Sequence, residues 1–241
     1  GGAPEAANAA SADEKVDLVL WHWKDSRLPT QQEVQELRDK TYSYLAEYRI
    51  QPAKFIRLAD EDVRTVTPAP KDTFAIGIDE REFELMGNMD GRRYEDVYAI
   101  NLETGERKLA LMRARWFNGP SPDGQSLLYY DEGNYFVYSM KTGQSRNITQ
   151  GAPVSFVDLE DDHNVVKPPA QAIGWTSDSK SVLLTDNWDI WQAPVEGGPF
   201  VNLTVNGRKD ALRYQSRFAL EPAPARETGI DLSKPQYFRV Y

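Results

Sequence analysis

Cysteine is absent from these 241 residues, and histidine occurs only twice. The absence of cysteine excludes disulfide bonds, thiol catalysis and cysteine-ligated metal sites. There is also no HExxH motif and no histidine-rich cluster, so the sequence predicts no metal site and no cofactor. Positively charged residues are fewer than negatively charged ones: the sequence has 28 Lys and Arg and 37 Asp and Glu, which gives a net charge of −9. Since nucleic acids and anionic membranes attract concentrated positive charge, we expect neither as a partner.

Long apolar runs are missing as well, and the short ones present are typical of β-strands. The runs at 127–130 and 182–184 are rich in leucine, valine and tyrosine, and turn residues bound both. They are too short for buried helices. The sequence therefore favours an all-β protein.

The strongest positive signal is an internal repeat. Residues 121–149 align without a gap on residues 176–204, and a third copy is divided between 69–79 and 96–109 by an insertion. Each copy has a polar turn, two short strand-like runs, a glycine turn and a closing segment. Such a unit is typical of one blade of a β-propeller, with four antiparallel strands.

The repeat predicts a partial propeller of about four blades and the start of another. The divergent first blade would use residues 16–23, 41–50 and 54–58, with 29–40 as either a short helix or part of one long strand. Tyr98, Phe136 and Trp191 share one repeat position, and we expect them to pack between blades.

Two regions are expected along the chain. Residues 1–15 are rich in alanine, glycine and asparagine and predict a flexible lead, whereas 16–241 predict the propeller region. Because the sequence after Arg213 begins an apolar strand that stops at Tyr241, we expect the propeller to be truncated and the chain to be a fragment.

Several segments resemble the N-terminal propeller of bacterial prolyl oligopeptidase-type (S9) serine peptidases. They include WHWKDSRL at 21–28, LEDDHNVVKPP at 159–169, GWTSDSKSVLLTDNWDIW at 174–191 and NLTVNGRKD at 202–210. The resemblance implies a non-catalytic propeller that gates access to an α/β-hydrolase domain of the same parent protein and filters its peptide substrates. It also implies a periplasmic or secreted location.

The sequence itself contains no motif for serine-peptidase chemistry. No GxSxG elbow occurs, and the nearest string, residues 174–178, falls at a repeat turn. The two histidines, His22 and His163, belong to different repeats. We therefore expect no catalytic residue here, with the serine-type peptidase activity residing elsewhere in the parent.

The most distinctive polar cluster lies at 158–164, and Asp161, Asp162 and His163 are its candidate substrate- or ion-binding residues. Carboxylates at this density could bind Ca²⁺ or a peptide amino terminus. The favoured interpretation is a solvated acidic loop, because the glycine and spacing of an EF-hand are missing.

Two other functions stay open. A stand-alone binding propeller, TolB-like or WD40-like, would dock a protein or glycan partner through its loops. A propeller enzyme such as a sugar lyase would use the acidic loop as its metal site. The sequons at 147–149 and 202–204 recur at one repeat position, which favours a blade-closing strand over glycosylation.

Overall fold

The computed structural model describes residues 22, 24, 25, 27, 29–218 and 229–241. The chain divides into two compact units, Gly1–Tyr42 and Ser43–Tyr241. The predicted flexible lead at 1–15 lies outside the described residues, as does most of the strand predicted at 16–23. Of that strand His22 is described, and it is exposed and outside any strand.

In the described residues of the first unit, Pro29–Lys40 forms the helix α1, which decides between the two alternatives for this segment. Proline at the first helical position needs no hydrogen-bond acceptor, and Arg38 and Lys40 lie where the helix dipole favours positive charge. In the described part of the chain, none of the helices has the length and hydropathy needed to span a bilayer.

The second unit is built from three four-stranded antiparallel sheets, which confirms the predicted blades. Blade I contains β3 (Thr65–Pro68), β4 (Phe74–Asp79), β5 (Glu95–Asn101) and β6 (Arg107–Ala114). Blade II contains β7 (Trp116–Pro120), β8 (Ser126–Asp131), β9 (Asn134–Ser139) and β10 (Ser145–Asn147). Blade III contains β11 (Ala172–Trp175), β12 (Ser181–Thr185), β13 (Ile190–Pro194) and β14 (Val201–Asn202). In each blade the strands pair in chain order, as in a meander.

Two hairpins complete the described sheets. The first joins β1 (Ala46–Arg49) to β2 (Lys54–Arg57), and the second joins β15 (Tyr214–Phe218) to β16 (Tyr237–Val240). The divergent first blade predicted from the sequence is thus a two-stranded sheet in the described residues. The insertion in blade I, between β4 and β5, contains α2 (Glu84–Asp90).

Successive sheets stack face to face, because their strands carry apolar side chains on both faces. On β5, Val97 and Ala99 face blade II, whereas Ile100 faces the first hairpin. The core between blades I and II contains Phe74, Ile76, Val97, Ala99 and Leu111 with Leu127, Tyr138 and Met140. The core between blades II and III contains Leu128, Tyr130, Tyr135 and Val137 with Trp175, Val182, Leu184 and Ala193. Since a fully buried leucine or valine side chain contributes about 1.5–3 kcal/mol, these contacts hold the blades together.

The aromatic residues of the shared repeat position confirm the expected packing. Tyr98 packs against the core next to the first hairpin, and Trp191 packs against the core between blades II and III. Phe136 stacks on Tyr129, which packs against the core between blades I and II, with ring centroids 5.3 Å apart. Each aromatic side chain therefore lies on the face of its blade that is directed at the preceding sheet.

The first turns of blades II and III repeat the same hydrogen bonds. Ser121 Oγ donates to Asp123 Oδ1 at 2.5 Å, and Thr176 Oγ1 donates to Asp178 Oδ1 at 2.6 Å. The backbone N–H of Asp123 also donates to Ser179 Oγ at 3.0 Å, which joins the two turns. The local turn chemistry thus fixes both the hairpin and its contact with the next blade.

The repeated Asn-apolar-Thr segments close blades II and III, as the sequence predicted. Thr149 Oγ1 accepts from the N–H of Tyr135 at 2.9 Å, and Thr204 Oγ1 accepts from the N–H of Ile190 at 3.1 Å. In each case the threonine hydroxyl satisfies a backbone donor at the start of the third strand.

Candidate functional site

Most of the distinctive polar residues of the chain lie at one end of the blades, which we call the connector end. Strands of a meander alternate in direction, so the turn between the second and third strands shares an end with the connection to the next blade. The connector end of blades II and III contains residues 132–133, 148–171, 186–189 and 203–213. The predicted acidic segment is part of it.

The acidic segment is a closed loop, which we call the acidic loop (residues 158–168). The N–H of Asp158 donates to the carbonyl of Pro168 at 2.9 Å, and Val157 bridges Pro169. Below this closure, Phe156 and Ala170 are buried in the second unit. The buried hydroxyl of Tyr135, on β9, donates to the carbonyl of Ala170 at 2.6 Å. Blade II therefore holds the base of the acidic loop.

The three candidate side chains have different environments within the acidic loop. Asp161 Oδ1 accepts from the backbone N–H of Asn164 at 2.8 Å, and the Asn164 amide donates to both carboxylate oxygens. The backbone hydrogen bond from Asn164 is the main reason that the pKa of Asp161 lies below its ordinary value. Asp161 therefore organises the loop from inside.

Asp162 and His163, by contrast, face solvent. Their side chains are 85% and 88% exposed, and His163 Nδ1 lies 3.2 Å from Asp162 Oδ1. Of the three predicted site residues, these two have side chains that a ligand could reach directly.

The acidic loop is also tied to blade III and to the chain that follows it. Asp158 Oδ1 accepts from the Asn187 amide at 2.8 Å. Glu160 forms a two-pronged pair with Arg213, at 2.6 and 3.0 Å, and this pair lowers the pKa of Glu160. Arg213 in turn lies over the ring of Trp188, 4.4 Å from its centroid.

A further hydrogen bond joins the acidic loop to the residue that precedes the first strand of blade II. Arg115, directly before β7, donates to the Asn164 side-chain oxygen at 2.9 Å and lies 4.2 Å from the Trp116 ring centroid. The acidic loop is therefore fixed on both sides, by blade II and by blade III.

A second carboxylate network lies beneath Trp188. Asp189 is buried, and its Oδ1 accepts from the Thr204 hydroxyl at 2.6 Å and from the N–H of Gly207 at 2.8 Å. Burial would raise the pKa of Asp189, but these hydrogen bonds, with Thr204 the strongest, outweigh it and hold the pKa below its ordinary value. Asp186, also buried, pairs with Arg208 at 3.1 Å. These contacts position the short helix α3 (Gly207–Asp210) at the connector end.

Sequence reasoning identified the acidic loop but missed its partners. Asn187 and Arg213, which bond to the loop, were not singled out as site residues, and neither was the Asp186–Arg208 pair. Asp189 could have been found, because it occupies the repeat position of Asn134, which also bonds to its closing threonine, at 3.2 Å.

The string nearest to a GxSxG elbow lies within blade III. The string at 174–178 forms the end of β11 and the first turn of blade III, where Thr176 is buried. Within the described ranges, no group of three or more His, Cys, Asp or Glu side chains is arranged to hold a metal ion. The arrangement supplies exposed carboxylates and an imidazole on a fixed loop.

Comparisons with known proteins were made by sequence and by structure. No family model and no curated protein matches the sequence. Among solved structures, a putative TolB from Agrobacterium tumefaciens matches with a TM-score of 0.39 and 15% identity over 68% of this chain and 55% of that chain. TolB from Acinetobacter baumannii matches with a TM-score of 0.37 and 16% identity over 83% and 47%. An oligogalacturonate lyase from Vibrio parahaemolyticus matches with a TM-score of 0.36 and 15% identity over 66% and 46%.

This chain spans about half the length of the solved structures that it matches. The assignment of propeller blades rests on the three four-stranded sheets and on their stacking.

Proposed function

We propose that this chain is the non-catalytic propeller portion of an S9-type serine peptidase. In this proposal it gates access to an α/β-hydrolase domain of the same parent protein and supplies no reacting group. Its task is to admit peptide substrates of limited size. The serine, the histidine and the orienting carboxylate of the reaction belong to the hydrolase domain.

One observation carries the proposal. Three of the segments that carry the family resemblance, at 159–169, 174–191 and 202–210, contribute residues to the connector end. Arg208 pairs with Asp186 at 3.1 Å, joining the second and third segments. Asn187, in the second segment, donates to Asp158, the residue directly before the first segment. These three segments, which are far apart in sequence, thus contribute to one end of the blades, and this supports the proposal.

Within this proposal, Asp162 and His163 are the side chains that meet the peptide substrate. Both are exposed on a loop that blades II and III hold in place. Asp161 supports them from inside the loop. In the parent peptidase, Asp162→Asn should raise KM and leave kcat unchanged, since Asp162 contributes binding and no chemistry.

The direct test is an activity assay on the purified chain. We expect no hydrolysis of aminoacyl or prolyl reporter substrates and no covalent labelling by a fluorophosphonate. Turnover that a serine-directed inhibitor abolishes would overturn the proposal, because the active serine would then lie within these 241 residues.

A further inference from the structure

The acidic loop displays three aliphatic side chains to solvent. Leu159, Val165 and Val166 are 69%, 91% and 55% exposed, and we call them the aliphatic knob. Single exposed aliphatic residues are common on protein surfaces. Three of them in one short closed loop form a feature that needs an explanation.

The aliphatic knob is not needed to hold the acidic loop together. The loop is closed by backbone hydrogen bonds between its ends and by the Asp161–Asn164 contacts inside it. It is anchored outward by the Glu160–Arg213 pair and by the Arg115–Asn164 hydrogen bond. Polar contacts therefore fix the backbone, while the aliphatic side chains point away from the core.

A fixed loop that exposes apolar side chains is well suited to binding. The loop is already ordered in the folded protein. Binding of a partner therefore loses no free energy to ordering the loop. Burial of the knob in a complex would remove apolar surface from water, which is the main favourable contribution to association.

The charge around the knob restricts the partner. Between Leu159 and Val165, Glu160 is paired with Arg213, and the Lys167 ammonium lies against the carbonyl of Asp161. Asp162 is 85% exposed, so its carboxylate is the negative charge that a partner can reach next to the aliphatic side chains. An anionic membrane or a nucleic acid would be repelled, whereas a positively charged polypeptide would be attracted.

We propose that the aliphatic knob and its acidic flank form a docking surface for a polypeptide segment in which aliphatic or aromatic side chains adjoin lysine or arginine. The apolar side chains of the segment cover Leu159, Val165 and Val166, and its cationic groups lie beside Asp162. The docking surface shares Asp162 with the substrate contact proposed above, but it goes beyond gating, and its test on the isolated chain does not require the parent protein to be a peptidase.

The test uses the full chain and three panels of synthetic peptides of equal length, titrated by fluorescence anisotropy. The first panel combines aliphatic residues with Lys and Arg, the second combines aliphatic residues with Asp and Glu, and the third combines polar residues with Lys and Arg. We expect saturable binding in the first panel only, and weaker binding as NaCl is added.

The knob variant is Leu159→Ser, Val165→Ser and Val166→Ser in one chain. Because the three side chains are exposed, its melting temperature should equal that of the unchanged chain. Its affinity for the bound peptides should fall about tenfold or more, which is the scale expected when apolar anchors are removed. The control variant replaces the exposed Met112 and Val205, which lie outside the acidic loop, by serine and should bind as before.

Three results would overturn the proposal. The first is no binding by any peptide of the first panel. The second is equal binding by the aliphatic acidic panel, which would mean that the negative flank selects nothing. The third is an unchanged affinity in the folded knob variant.

Discussion

The hydroxyl of Tyr135 lies 2.6 Å from the backbone carbonyl of Ala170 and donates a hydrogen bond to it inside the protein. Tyr135 belongs to β9 of blade II, and Ala170 closes the base of the acidic loop. Burial also raises the pKa of Tyr135, which favours the protonated phenol that donates this hydrogen bond. This bond links the loop that bears the candidate site to the sheet that supports it.

Tyr135→Phe should therefore destabilise the second unit by about 1–3 kcal/mol, because the carbonyl of Ala170 loses its buried donor. Tyr130→Phe is the matched control. Tyr130 is equally buried, but its hydroxyl has no hydrogen-bond partner among the described residues. Urea unfolding should show no loss for Tyr130→Phe, and equal losses in the two variants would contradict this account.

Gly124→Ala should be among the most damaging small substitutions. Gly124 has φ of +69°, and a methyl group there would overlap the carbonyl oxygen of Pro70 in the facing turn of blade I. The strained backbone costs about 1–2 kcal/mol, and the steric overlap adds about 1–3 kcal/mol.

Gly151→Ala separates these two effects. Gly151 has φ of +78°, but a Cβ atom there would meet none of the described atoms within 4 Å. Thermal unfolding should show only the cost of the strained backbone. If Gly151→Ala proved as damaging as Gly124→Ala, contact between the turns of blades I and II would be unimportant.

Asp189→Asn should lower stability in a pH-dependent way. The pKa of Asp189 is depressed in the fold, so its ionised form contributes fully above the unfolded-state pKa of about 3.9. The contribution is lost as pH falls through the lower folded-state pKa. We expect a loss of about 1–3 kcal/mol at pH 7 that shrinks as the pH falls below about 4.

The measurement is urea unfolding of both proteins from pH 7 to the lowest pH at which they fold. Asp162→Asn, at an exposed carboxylate, serves as the control and should match the unchanged chain throughout. A difference between Asp189→Asn and the unchanged chain that does not vary with pH would mean that the charge of Asp189 is unimportant.

Asn164→Ala should loosen the acidic loop without unfolding the blades. The substitution removes the partner of Arg115 and the side-chain donor to Asp161. Hydrogen exchange followed by mass spectrometry should show faster exchange at 158–168 and unchanged exchange in β8 and β12. Faster exchange throughout the sheets would indicate that Asn164 supports the blades themselves.

The repeat predicted the blades because it specifies local chemistry at equivalent positions. Ser121 and Thr176 make matching turns, and Thr149 and Thr204 make matching closures, so aligned residues perform the same task. Neighbouring sheets then stack because their strands are apolar on both faces. Where the repeat weakens, less of the prediction can be compared: the described residues show the predicted regions 41–50 and 54–58 as a two-stranded hairpin, and most of 16–23 lies outside them.

The candidate site was predicted less completely, because it depends on contacts between residues distant in sequence. Glu160 meets Arg213 and Asp186 meets Arg208 at the connector end once the chain has folded, and no spacing in the sequence encodes these contacts. The hydrogen bonds of Asp161 to Asn164 could not be predicted either. In a run of carboxylates, the sequence does not show which side chain bonds to the loop and which faces solvent.

The central claim is that this propeller belongs to a serine peptidase whose catalytic residues lie outside the 241 residues. Antibodies raised against the chain would precipitate the native protein from the cells that encode it, after treatment of the lysate with a fluorescent fluorophosphonate. The account predicts a labelled polypeptide larger than 27.4 kDa. An unlabelled polypeptide, or a labelled one of 27.4 kDa, would contradict it.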